Sequence, residues 1–167
     1  MSERAVRIVE VLMRDGLQTM VHESGWHVPT TDEKVALIEK IADAGVPEIE
    51  VTGFVHPKVI PMLADADEVV RRLPFRSGVV YRALVPNVRG AERAINAGCN
   101  KLSSLIVASE TYSQKNSNMS IAENIEQIRV ITEMAREHSG ISVDVSMAFA
   151  LCALTTDQSP KLLFLIS

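Results

Sequence analysis

The chain has 167 residues, 47% of them hydrophobic and 23% charged, enough for one domain with a buried core. Its formal net charge is -4 and it has no block of Lys and Arg, which argues against nucleic-acid binding, because neutralising phosphates needs clustered cations. No apolar run approaches the roughly 20 residues that span a bilayer, and the polar start Met1-Ser2-Glu3-Arg4 is not a signal peptide, so a cytoplasmic chain without membrane contact is expected.

Residues 6–13, rich in Val and Ile, predict a strand buried on both faces and ended by Arg14-Asp15-Gly16. A polar loop follows from Gln18 to about Pro29, with no evident partner for His22, Trp26 or His27. Thr30 and Glu33 form a capping box, opening a helix whose Val35, Ile38, Ile41 and Ala42 share one face and which Gly45 closes. Residues 48–52 predict a second strand, and 59–73 a second helix. The rhythm then repeats, with a strand over 78–85, a short helix over 89–97 ending at Gly98, and a strand over 101–108. Ser120 and Glu123 make another capping box. The helix it opens carries Ile121, Ile125, Ile128, Ile131 and Ala135 at helical spacing and stops at Gly140. Residues 141–150 predict a fifth strand, and beyond about Thr155 the rhythm is lost. Cys99 and Cys152 form no C-x-x-C pair and read as reduced, buried thiols, and Met62, Met134 and Met147 as core fillers.

Five strands alternating with four helices, undivided by any linker, predict one domain of parallel βα units. Two α/β architectures fit. One is an open doubly wound sheet, complete at about this size; the other is an incomplete (β/α)8 TIM barrel, a fold of about 250 residues. Periodicity alone leaves both open.

In either, function gathers at the carboxyl ends of the strands. Arg14 and Asp15 lie just past the first strand. Glu50 alternates with Ile49 and Val51; if those two pack against helices, Glu50 and Thr52 face the other side. An aspartate there is a hard-oxygen ligand suited to Mg2+ or Mn2+, an arginine can stabilise a developing oxyanion, and a second carboxylate can orient that arginine. The plain alternatives are a solvated turn at Arg14-Asp15 and a solvent-facing edge glutamate at Glu50. No Walker A loop, G-x-G-x-x-G loop or H-x-H pair occurs.

Arg14-Asp15-Gly16-Leu17-Gln18, directly after Ile8-Val9-Glu10-Val11, resembles the opening of hydroxymethylglutaryl-CoA lyases, metal-dependent barrel enzymes. Related Claisen synthases usually carry Glu in place of Leu17. Residues 48–58 resemble the family's second strand and following loop. Residues 85–90, and Ala108-Ser109-Glu110 with Lys115-Asn116, resemble the ends of the third and fourth strands. The resemblance covers about residues 5 to 151. It implies that Asp15 ligates a divalent metal cation (Mg2+ or Mn2+), that Arg14 steadies an enolate, that Gln18 lines the site, and that Glu50 is a buried glutamate supporting Arg14 and Asp15. It also implies an acyl-CoA substrate, 3-hydroxy-3-methylglutaryl-CoA, cleaved to acetyl-CoA and acetoacetate. Gly53 stands where the family usually has Ser, a residue that touches substrate, so a related 3-hydroxyacyl-CoA is an alternative.

The family's metal-binding histidines and asparagine and its catalytic cysteine come from later strands, and the resemblance fails at about Cys152. The expectation is a partial barrel domain over 1–151 and a divergent tail over 152–167 from truncation or frameshift. Such a chain is expected to be inactive alone and to self-associate, as a homo-oligomer, through exposed strand edges. The competing readings are a non-enzymatic open-sheet module and a synthase or carboxyltransferase branch of the superfamily.

Overall fold

The structure, a computed structural model, describes residues 6–19 and 27–148. In chain order the elements are β1 (Val9–Glu10), a π-type turn (Leu12–Gly16), α1 (Leu17–Thr19), α2 (Thr31–Asp43), β2 (Glu48–Gly53), a 3-10 turn (Pro61–Leu63), α3 (Ala66–Arg72), β3 (Val80–Leu84), α4 (Val88–Ala97), β4 (Lys101–Val107), α5 (Glu110–Ser117), α6 (Ile121–Glu137) and β5 (Ser142–Ala148). The strands pair in parallel in the order β1-β2-β3-β4-β5. A doubly wound sheet reverses its strand order at a switch point. This sheet keeps sequence order throughout and curls into half of a TIM barrel.

Both capping boxes form. Thr30 Oγ1 accepts from Glu33 N at 3.3 Å while the Glu33 carboxylate accepts from Thr30 N at 2.7 Å, and Ser120 with Glu123 repeats the pattern. The Glu33 carboxyl is pulled down to about 2, first by the Thr30 backbone bond and then by His27, whose Nε2 lies 2.9 Å away. The core fills the space between the helices and the outer face of the sheet, with Ile38, Ile49, Val51, Leu63, Val69, Val70, Val85, Leu102 and Ile131 among its most buried members. At Gly90, in the first turn of α4, an added Cβ would stand 2.9 Å from the Phe54 carbonyl oxygen, so glycine lets this helix close on the chain leaving β2.

Several elements differ from the expectations. The first strand shrinks to two residues, leaving Val6 and Ile8 exposed, because the chain turns at Leu12 and, among the described residues, β2 is its one sheet neighbour. The helix expected over 59–73 divides into the 3-10 turn and α3. Pro61 sits at the start of the turn, and the buried Lys34 ammonium donates to Met62 O at 2.7 Å and to Asp65 Oδ1 at 2.6 Å, holding the break. α5 was not expected, since Glu110–Ser117 has no apolar face. Met62 is buried, but Met147 is 37% exposed on β5, which among the described residues pairs only with β4. Cys99 is a free, buried thiol, pushed up to about 12 by burial and then by Asp67; Cys152, His22 and Trp26 lie outside the described residues.

The inner face of the half barrel is polar. Glu48 and Glu50 of β2, Arg82 of β3, Lys101 and Ser103 of β4 and Asp144 of β5 alternate with the core residues Ile49, Tyr81, Ala83 and Leu102 and with Val143. Glu48 Oε1 accepts from Lys101 Nζ at 2.8 Å and from Arg82 Nη1 at 3.1 Å, and Lys101 also reaches Asp144 Oδ2 at 2.8 Å. Arg7 Nη1 lies 3.4 Å from the other Glu48 oxygen. Burial alone would raise the Glu48 carboxyl; Lys101 and then Arg82 outweigh it and hold the group below its ordinary value of 4.5. A carboxyl depressed on folding stabilises the fold above its unfolded pKa, and that contribution is lost as pH falls through the lower folded value. Urea denaturation between pH 7 and pH 3 is therefore expected to show a stability decline below about pH 4.5 that is shallower in Glu48→Gln. An identical decline in the two proteins would contradict this role.

Candidate active site

Three charged side chains meet where β1 and β2 end. Glu10 is registered with Ile49, so β1 stops one residue short of the Glu50 level. The chain then winds into the π-type turn, with Asp15 N donating to Val11 O at 2.7 Å and Arg14 N to the same oxygen at 3.1 Å. Met13 within this turn and Leu17 just after it are buried and tie it to the core. The turn carries Arg14 over β2, where its Nε donates to Glu50 Oε2 at 2.7 Å. Arg14 Nη1 donates to Asp15 Oδ1 at 2.6 Å.

The three groups differ in their access to water. The Glu50 side chain is 4% exposed, Arg14 21% and Asp15 57%. Glu50 thus serves as a buried anchor, Arg14 as a part-exposed cation held on two sides, and Asp15 as an accessible carboxylate with only one oxygen taken by Arg14. The exposed-edge alternative for Glu50 does not hold. Gln18, expected to line the site, is exposed in α1 just past the turn. The solvated-turn alternative holds for Asp15 only in part, since its neighbour is clamped inward.

Sequence alternation misplaces one neighbour. The register between β2 and β3 slips after Glu50: Glu50 pairs with Arg82, Thr52 with the core residue Ala83, and Gly53 with Leu84. This bulge puts Gly53, not Thr52, beside the arginine. A Cβ on Gly53 would stand 3.4 Å from Arg14 Cγ, 3.3 Å from Leu63 Cδ1 and 3.5 Å from Leu84 Cβ. The aliphatic stem of Arg14 therefore lies directly against backbone, where even one methyl would be tight.

Sequence reasoning also missed Arg82. Its Nε lies 3.7 Å from Glu50 Oε1, on the side away from Arg14, and its side chain is 11% exposed. The signal was present: Val80, Arg82 and Leu84 alternate with the core residues Tyr81, Ala83 and Val85, which points Arg82 to the same inner face as Glu50.

Comparison with known proteins places the chain in a family. A sequence model of the family described as HMGL-like matches residues 5–157. The hydroxymethylglutaryl-CoA lyase YngG of Bacillus subtilis is 40% identical over 134 residues, 80% of this chain and 43% of that protein. A Pseudomonas aeruginosa protein named 3-hydroxy-3-isohexenylglutaryl-CoA/hydroxy-methylglutaryl-CoA lyase is 38% identical over 135 residues, 81% of this chain and 43% of its own length. Among solved structures, an HMG-CoA lyase from Acinetobacter baumannii in complex with coenzyme A and 3-methylmalate superposes with a TM-score of 0.78 at 32% identity, covering 89% of this chain and 47% of that one. The chain spans less than half the length of each of these relatives. Because the match runs through all five strands and the fold is shared at these identities, the chain belongs to the HMGL-like family, corresponding to the N-terminal part of its lyases.

Proposed function

We propose that this chain is the part of a carbon–carbon lyase that positions the enolate-stabilising arginine and contributes one metal ligand. The reaction is the retro-Claisen cleavage of 3-hydroxy-3-methylglutaryl-CoA, or of a related 3-hydroxyacyl-CoA, to acetyl-CoA and a 3-oxo acid. The observation that carries this reading is the clamp on Arg14: a guanidinium fixed by a buried Glu50 and an accessible Asp15 at the strand ends of a lyase-family barrel. The Pseudomonas aeruginosa relative is named for two thioesters that differ in their 3-substituent, which keeps the broader substrate class in the reading.

In the cleavage the 3-hydroxyl loses its proton, the C2–C3 bond breaks as the C3 carbonyl forms, and the electron pair passes to the thioester enolate, which is then protonated to acetyl-CoA. Arg14 faces that developing negative charge with its geometry already set, so no reorganisation is needed as charge builds. Glu50, with a guanidinium near each of its oxygens, holds Arg14 rather than taking the hydroxyl proton. Members of the family depend on metal in general. Asp15 fits as one hard-oxygen ligand for Mg2+ or Mn2+, an ion that would polarise the substrate's hydroxyl and carboxylate oxygens. Among the described residues no group of three or more His, Cys, Asp or Glu side chains is placed to hold a metal, so the other ligands must come from elsewhere.

Joining residues 1–148 to the C-terminal half of the Bacillus subtilis lyase tests the reading. The fusion is expected to release acetyl-CoA from a 3-hydroxyacyl-CoA only with a divalent cation, and Arg14→Gln to lower kcat about 10²–10³-fold with little change in KM. A folded fusion that cleaves none of these thioesters would contradict the proposal.

The 167-residue chain alone is expected to show no such activity. It is also expected to sediment as a homo-oligomer, because β1 and β5 each present an unpaired parallel edge in the described sheet, with Val145 50% exposed on β5. A monodisperse monomer, or metal-dependent thioester cleavage by the chain alone, would overturn these expectations.

A further inference from the structure

We propose that Arg82 is a positioning residue that acts on Arg14 through Glu50. Glu50 has two carboxylate oxygens and two guanidinium neighbours. Oε2 accepts the Arg14 Nε–H at 2.7 Å, and Oε1 faces Arg82 Nε at 3.7 Å. The second distance is too long for a hydrogen bond, so the contact is an attraction between charges in a site almost closed to water. Arg82 is itself held from below. Its Nη1 lies 3.1 Å from Glu48 Oε1 and 3.4 Å from Asp144 Oδ2, and its Nη2 donates to Ser103 Oγ. A guanidinium is planar, so fixing those two nitrogens fixes the direction of the third. That third nitrogen lies 3.7 Å from Glu50 Oε1, and it is the one buried side-chain nitrogen or oxygen without a hydrogen-bond partner among the described residues.

The consequence follows from torsional freedom. The terminal carboxylate torsion of a glutamate is broad, so a carboxylate held at one oxygen swings. A cation at each oxygen pins it. Strand β3 thus sets the orientation of Glu50, and Glu50 sets that of Arg14. What Arg14 is positioned for rests on the lyase reading; the positioning itself does not, and its test needs no activity.

The test is hydrogen–deuterium exchange at the Arg14 Nε–H, read by magic-angle-spinning 15N NMR on the sedimented 167-residue chain, where self-association does no harm. Arg82→Gln is expected to speed this exchange at least tenfold, and Arg82→Lys, which keeps the charge, to return it to within about threefold of the parent. Ile131→Ala, a core change in α6 away from the ladder, is expected to leave it unchanged although the fold is weakened. Should Arg82→Gln fail to fold, Ser103→Ala removes the Nη2 partner without changing charge and is expected to speed exchange about threefold. The proposal is overturned if the folded Arg82→Gln protein, or Ser103→Ala in its place, exchanges like the parent, or if Ile131→Ala speeds exchange as much as the Arg82 change does.

Discussion

Two glutamates of β2 lie inside the half barrel with their side chains almost removed from water, and carboxylates there are tolerated only when cations meet them. The inner face is arranged around that requirement. Lys101 and Arg82 meet Glu48; Arg82 and Arg14 meet Glu50; Asp144 balances Lys101 and Arg82 at the outer strand. Arg14 is the uppermost rung of this ladder and the one nearest the strand ends. It reaches its place because β1 stops early and the π-type turn folds back over β2, with its stem lying against Gly53. The candidate site is therefore the exposed end of an interior ionic network.

Much of this was legible in the sequence. Capping boxes at Thr30 and Ser120 located two helix starts because they depend on local chemistry. The Arg14-Asp15-Gly16 run marked the first turn, and alternation around Glu50 marked its face. What could not be read has a common cause. The choice between an open sheet and a curled one depends on strand order, which lies in long-range pairing and not in periodicity. The slip after Glu50, which exchanges Thr52 for Gly53 beside Arg14, is a property of two strands together. α5 carries no apolar stripe, so its helix leaves no periodic trace. Arg82 and Asp144 were visible as charges in alternating strands, yet a lone charge reads as solvent-facing until its opposite number is known to be across the sheet.

Membership of the HMGL-like family gives the half barrel its context. The family's lyases are about twice as long, and the described part of this chain holds five parallel strands of a half barrel, with Arg14 and Asp15 just past the end of the first. Its outer strands, β1 and β5, are the edges at which a closed barrel would continue. Val145 and Met147 are exposed on β5, the last strand of the described sheet.

The 2.7 Å contact between Arg14 Nε and the buried Glu50 carboxylate makes the two side chains one energetic unit. A double-mutant cycle on folding stability, with Arg14→Gln, Glu50→Gln and the pair, measures it directly. The expected coupling is about 1–3 kcal/mol, since each partner removed alone leaves the other held in a site with little water. Additive effects, with coupling near zero, would contradict it.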